Sequence, residues 1–214
     1  MKSLTPISFT LLLFTATGVT ALPNVTSIQL KSDSCAYWPY WQNTRDADVT
    51  GTLTFMISDA EDPFLNGLFL QPQPYTYNGT AIEVLGADLR KSIRTTGAKT
   101  AYQCADAEPR EYGGPTRAPA FRILPFGGMS NSGLGELKVE PYRHDVDGKG
   151  VDGVFLGSGN LTTWGFRYVK PSECGRLDYY EARLLGLHDD WYYAPPSGGE
   201  IIPGFLKVVT WPLI

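Results

Sequence analysis

The 214-residue chain reads as all-β: a single-domain antiparallel β-sandwich of the jelly-roll kind, with a closed barrel as the alternative. Two observations predict this class. Short segments with period-2 alternation recur along the sequence. Turn pairs such as Asn66-Gly67, Asn78-Gly79 and Asp152-Gly153 stand between them. Helical signals are thin by comparison.

The elements follow in order. Residues 25–31 form the first predicted strand. In 50–57, Leu53, Phe55 and Ile57 recur at every second position, with Thr52 and Thr54 on the other face, the pattern of a half-buried strand. Residues 67–70, 81–85, 99–104 and 120–124 continue the series. In 135–140 charges occupy one face, and 153–156, 163–169, 177–187 and 204–211 complete it. Residues 84–92 would accommodate one helical turn. The segment 179–187 holds helix-compatible residues, but Tyr179, Glu181 and Arg183 alternate with Tyr180, Ala182 and Leu184, which favours a strand. Two stretches without period, 106–119 and 194–199, read as irregular loops.

The N-terminus reads as a secretory signal over residues 1–21. Lys2 supplies the positive charge, Leu11-Leu12-Leu13-Phe14 the apolar core, and Val19-Thr20-Ala21 a small-residue cleavage site. The apolar run is shorter than the roughly 20 residues that cross a bilayer. Residues 22–214 are then expected to form one secreted, extracellular domain. The sequons at Asn24, Asn78 and Asn160 read as N-glycosylation sites in that setting. The formal charge is −4, and a mildly acidic chain with scattered basic residues predicts neither a nucleic-acid partner nor a membrane partner. The short patch Arg90-Lys91-Ser92-Ile93-Arg94 reads as a solvated edge or turn.

Three cysteines, Cys35, Cys104 and Cys174, predict one intramolecular disulfide and one remaining thiol, with three pairings open. The remaining thiol reads as buried and inert in preference to intermolecular or catalytic.

Aromatic clusters are the clearest local anomalies. Tyr37-Trp38-Pro39-Tyr40-Trp41 places four rings in five residues beside Cys35. Trp38 and Trp41 are binding candidates, although plugging the core is the favoured role for both. Trp191, Tyr192 and Tyr193, flanked by Asp189 and Asp190 and followed by Pro-Pro-Ser-Gly-Gly, favour an exposed recognition surface, since loops run over the surface and carry binding residues. Such rings stack on the C–H faces of sugars, and nearby carboxylates bind hydroxyls.

Catalytic signals are weaker. A glycosidase needs two facing carboxylates, roughly 5 to 10 Å apart. Glu136, Glu140, Asp178 and Glu181 lie on predicted strands, where outward solvated faces explain all four. The acidic runs 59–62 and 145–153 hold oxygen ligands, but Lys149 interrupts the second where a calcium loop requires a donor. Turn chemistry explains Asp147-Gly148 and Asp152-Gly153 more simply. With only His144 and His188, a three-histidine zinc site is excluded. No nucleophile elbow, phosphate loop or dinucleotide fingerprint is present. No metal or other cofactor is expected.

In overall layout, with its leader, sequons, few cysteines and aromatic-rich strands, the chain resembles the small secreted β-rich glycoproteins of filamentous fungi. That resemblance implies a cell-wall component or a host-directed effector and carries over no functional residue. The expectation is therefore a non-catalytic protein that binds an extracellular glycan or protein surface. The alternative is a carbohydrate-active hydrolase using two carboxylates.

Overall fold

The computed structural model describes residues 21–44, 47–77, 80–88, 101–105, 107–112, 129–130, 133–134, 139–170, 178–186 and 200–210. Among these residues the fold is all-β and contains no α-helix. The strands are β1 (Val25–Gln29), β2 (Trp41–Thr44), β3 (Ala47–Thr50), β4 (Leu53–Ser58), β5 (Phe69–Tyr77), β6 (Thr80–Asp88), β7 (Tyr102–Ala105) and β8 (Glu108–Glu111). They continue as β9 (Met129–Ser130), β10 (Gly133–Leu134), β11 (Glu140–Val146), β12 (Lys149–Gly157), β13 (Thr163–Val169), β14 (Tyr179–Leu184) and β15 (Ile201–Thr210). Short 3-10 turns occupy Cys35–Tyr37 and Pro63–Leu65.

Six strands close on themselves in the order β4, β5, β6, β14, β13, β15 and back to β4, every pair antiparallel. The closed barrel is thus the form that the all-β chain takes at its centre, where the sandwich was the favoured expectation. The deciding contact is the ladder between β15 and β4, which runs from Phe205↔Ser58 to Thr210↔Leu53 and leaves the six-strand ring without an edge of its own. Two arms leave this ring. One runs from β15 through β12 and β11 to β1; the other runs from β4 through β7 and β3 to β2, with β8 on β7.

Alternation decides what each strand buries. Leu53, Phe55 and Ile57 of β4, Leu70 of β5, Leu85 and Ala87 of β6, Trp164 and Phe166 of β13, Ala182 and Leu184 of β14, and Leu206 and Val208 of β15 belong to one apolar cluster. Because all six ring strands contribute at alternate positions, these side chains fill the barrel interior. Leu65 and Leu68 join it from the segment that folds back over the end of β4, where Ile57 N–H donates to the Leu68 carbonyl (2.9 Å). The Trp164 indole N–H is satisfied by the Leu156 carbonyl at 2.8 Å. The outer wall carries a second buried layer in which the His144 ring stacks on Phe155 (3.8 Å) and meets the edge of Phe205 (4.7 Å).

Several sequence expectations change. The acidic run 145–153 is mostly strand: Asp147 and Gly148, with φ of 51° and 75°, form the two-residue turn between β11 and β12. Asp152-Gly153 lies within β12 and is not a turn. Gly153 has φ 116°, and Lys207 packs where a β-carbon would lie. The expected loop at 106–119 contains β8, whose four residues pair with β7; Pro109 is tolerated because β8 lies outside the main strand path. The strand expected to stop at Leu70 continues to Tyr77 as β5. Pro72 and Pro74 fit there because β4 pairs only with Phe69 and Leu70, so the prolines need no ladder donor on that side. Residues 84–88 belong to β6, not to a helical turn. Of the strand expected at 135–140, residues 135–138 lie outside the described residues, as does all of 120–124.

Candidate functional site

The aromatic segment after Cys35 is held from three directions. Ser34 Oγ accepts the Ala36 N–H (3.0 Å) and starts the 3-10 turn, and Trp38 N–H closes it on the Cys35 carbonyl (3.0 Å). A three-residue period sends Cys35 and Trp38 to the same side. Both enter the core, Trp38 with only 3 % of its surface exposed. Cys35 is bonded there to Cys104 of β7. Closing a loop across 69 positions removes about 4 kcal/mol of chain entropy from the unfolded state.

The other three rings face out. Tyr37, Tyr40 and Trp41 are 42 %, 66 % and 39 % exposed. Tyr40 has φ 57°, left-handed backbone that costs an L-residue about 1 kcal/mol. Its carbonyl accepts the Gly51 N–H (2.9 Å) where β2 and β3 meet, so the surrounding hairpin enforces that geometry.

Asp48 on β3 fastens the segment. Its Oδ2 accepts the Cys35 N–H and its Oδ1 accepts the Trp41 indole N–H, each at 2.7 Å. Desolvation alone would raise the Asp48 carboxyl, but hydrogen bonds from Cys35, Trp41 and Ser34 outweigh it and hold it below its ordinary value. With both oxygens engaged, Asp48 is a clamp and not a proton-transfer group.

The remaining expectations are placed as follows. Trp38 takes the core role and Trp41 does not. Asp189, Asp190, Trp191, Tyr192 and Tyr193 lie outside the described residues, as do His188, Cys174, Asn78 and Glu136. Asn24 and Asn160 are exposed. Asn160 sits at the turn between β12 and β13, where its N–H donates to the Tyr142 hydroxyl (2.9 Å), which donates in turn to Glu140 Oε2 (2.9 Å). Burial, with the Glu140 charge, pushes the Tyr142 hydroxyl up to about 12 against the Asn160 hydrogen bond. Thr162 of the same sequon is buried, and its hydroxyl meets Ser27 of β1 at 2.6 Å.

The described carboxylate candidates are each occupied by a different partner. Glu140 meets Tyr142, and Asp178 accepts from the Tyr168 hydroxyl at 3.3 Å. Glu181 is buried on the outer wall of the barrel, where Oε2 accepts from Arg167 Nη2 (2.9 Å) and Arg183 Nη2 (2.7 Å). Its partners are two guanidiniums and not a second carboxylate, so it does not form a facing carboxylate pair with Glu140 or Asp178. Among the described residues no group of three His, Cys, Asp or Glu could hold a metal, and no helix is long and apolar enough to cross a membrane.

Sequence reasoning missed Asp48, Arg167 and Arg183. For Asp48 the alternating run Ala47 to Thr50 beside the aromatics was a usable signal. For the arginines there was none, because charges on a strand look the same whether solvated or covered. No protein-family model matches the chain, and no curated protein is significantly similar to it in sequence.

Proposed function

We propose that this chain is a secreted, N-glycosylated, non-catalytic β-barrel protein that binds an extracellular glycan or protein surface through exposed aromatic rings, as a cell-wall component or a host-directed effector does. The observation that carries this reading is the contrast within residues 37–41: Trp38 anchors the segment in the core while Tyr37, Tyr40 and Trp41 face solvent. The disulfide and Asp48 hold the segment in place, so little conformational entropy is lost when a ligand stacks on it. A disulfide suits an oxidising compartment, and Asn24 and Asn160 are accessible to glycosylation. Trp191, Tyr192 and Tyr193 belong to the same proposal as a second aromatic surface.

The test is retention on insoluble chitin, β-glucan and cellulose, comparing the native chain with Tyr40→Ala and Trp41→Ala. Retention on at least one polymer, reduced about tenfold or more by either variant at an unchanged melting temperature, supports the glycan reading. Equal retention by native chain and variants overturns it.

A further inference from the structure

The ring strands β13, β14 and β15 end together at one mouth of the barrel, and the side chains there form a set separate from the aromatic hairpin. Tyr168 and Tyr180 are directly paired across β13 and β14. Both occupy the inward-facing alternation of their strands, and Tyr180 packs against the apolar core. Their ring centroids are 5.5 Å apart at 55°, so the two ring planes are inclined to each other and not stacked. Tyr168 remains 39 % exposed although its position is an interior one, because it stands one residue from the end of β13.

Three carboxylates lie near this pair. Asp178 lies against the Tyr168 hydroxyl at 3.3 Å. The ladder between β13 and β15 ends at Arg167↔Ile201, so the next position sets Tyr168 opposite Glu200, which is exposed. The segment entering the Pro63–Leu65 turn crosses β15 here, its Glu61 N–H donating to the Pro203 carbonyl (3.0 Å), and brings Asp62 to the same mouth. The charges of Asp62 and Glu200 reach Tyr180, where they add to burial in raising its hydroxyl above the ordinary value. Lys170, two residues beyond Tyr168, is exposed and carries the opposite charge.

Two aromatic rings inclined to each other at the mouth of a barrel, with three carboxylates nearby, match one class of ligand. A ring face attracts a cation within about 6 Å of its centroid, and surrounding negative charge adds to that attraction. Barrel mouths are also a common position for small-ligand sites. We propose that this mouth binds a quaternary ammonium cation, with Tyr168 and Tyr180 as its aromatic walls and Asp178, Glu200 and Asp62 as its counter-charges. An anionic ligand is disfavoured by the same charges, and a neutral apolar one makes no use of them.

Calorimetric titration of the full chain with choline tests this, with the uncharged dimethylbutanol isostere of choline as control. Saturable choline binding is expected, with the neutral isostere at least about tenfold weaker, the scale of one strong cation–π contact. Tyr168→Ala should weaken binding by about the same factor, and Tyr168→Phe, which keeps the ring face, should largely restore it. Absence of saturable binding, equal affinity for the isostere, or Tyr168→Ala binding like the native chain would each overturn the proposal. None of these outcomes bears on retention through residues 37–41.

Discussion

The indole N–H of Trp41 donates to Asp48 Oδ1 at 2.7 Å while the other oxygen of the same carboxylate holds the Cys35 backbone. One side chain thereby orients an exposed aromatic ring and fixes the start of the segment that bears it. The disulfide continues that anchorage from Cys35 to Cys104, and through it to β7.

Asp48→Ala should therefore disorder the exposed rings without unfolding the barrel. Loss of two hydrogen bonds to a charged acceptor costs about 2 kcal/mol, visible as a lower melting temperature and altered tryptophan fluorescence. The folded carboxyl titrates below its unfolded value, so its stabilising contribution is present above the unfolded value. That contribution is lost as pH falls through the folded one. Asp48→Asn should remove this acid-side component from the difference between variant and native stability curves.

Replacing both Cys35 and Cys104 by alanine should lower stability by about 4 kcal/mol, as urea unfolding would measure. Thiol titration of the denatured native chain should find one reactive sulfur per molecule, that of Cys174. Two or three reactive sulfurs would contradict the disulfide.

Glu181 lies between Arg167 and Arg183, all three buried on the outer wall. Glu181→Ala leaves two guanidiniums facing each other without their shared acceptor, and about 3 to 5 kcal/mol should be lost on chemical denaturation. Glu181→Gln, which keeps an oxygen acceptor, should cost less.

His144 gives a pH dependence of defined sign. Burial against Phe155 and Phe205 lowers it from the ordinary 6.5 to about 4. Its Nε2 has no hydrogen-bond partner among the described residues. Between about 6.5 and 4 the unfolded chain binds the proton before the folded one, so stability falls as pH is lowered through that window. It levels off below the folded value. The steepest loss is about 1 kcal/mol per pH unit. His144→Phe preserves the aromatic contacts, and the difference between its unfolding free energy and that of the native chain should change across the same window.

Much of the fold was legible in the residues themselves. Leu53, Phe55 and Ile57 alternate because one side of β4 is apolar, residues 163–169 were bounded as the structure has them, and Asp147-Gly148 makes the turn its chemistry suits. The aromatic density at residues 37–41 was equally plain. Local pattern reports which side of a strand is apolar and where the backbone can reverse. It does not report which strand lies beside which. Closure of the barrel therefore rested on the long-range ladder between β4 and β15, since a sandwich requires the same alternation. Tertiary contacts likewise chose Cys104 for Cys35, sent Trp38 inward and left Trp41 outside. They also covered Glu181, whose charge on an outward face had implied water, together with Arg167 and Arg183. Each of these outcomes depends on residues distant in sequence that only the closed sheet brings together.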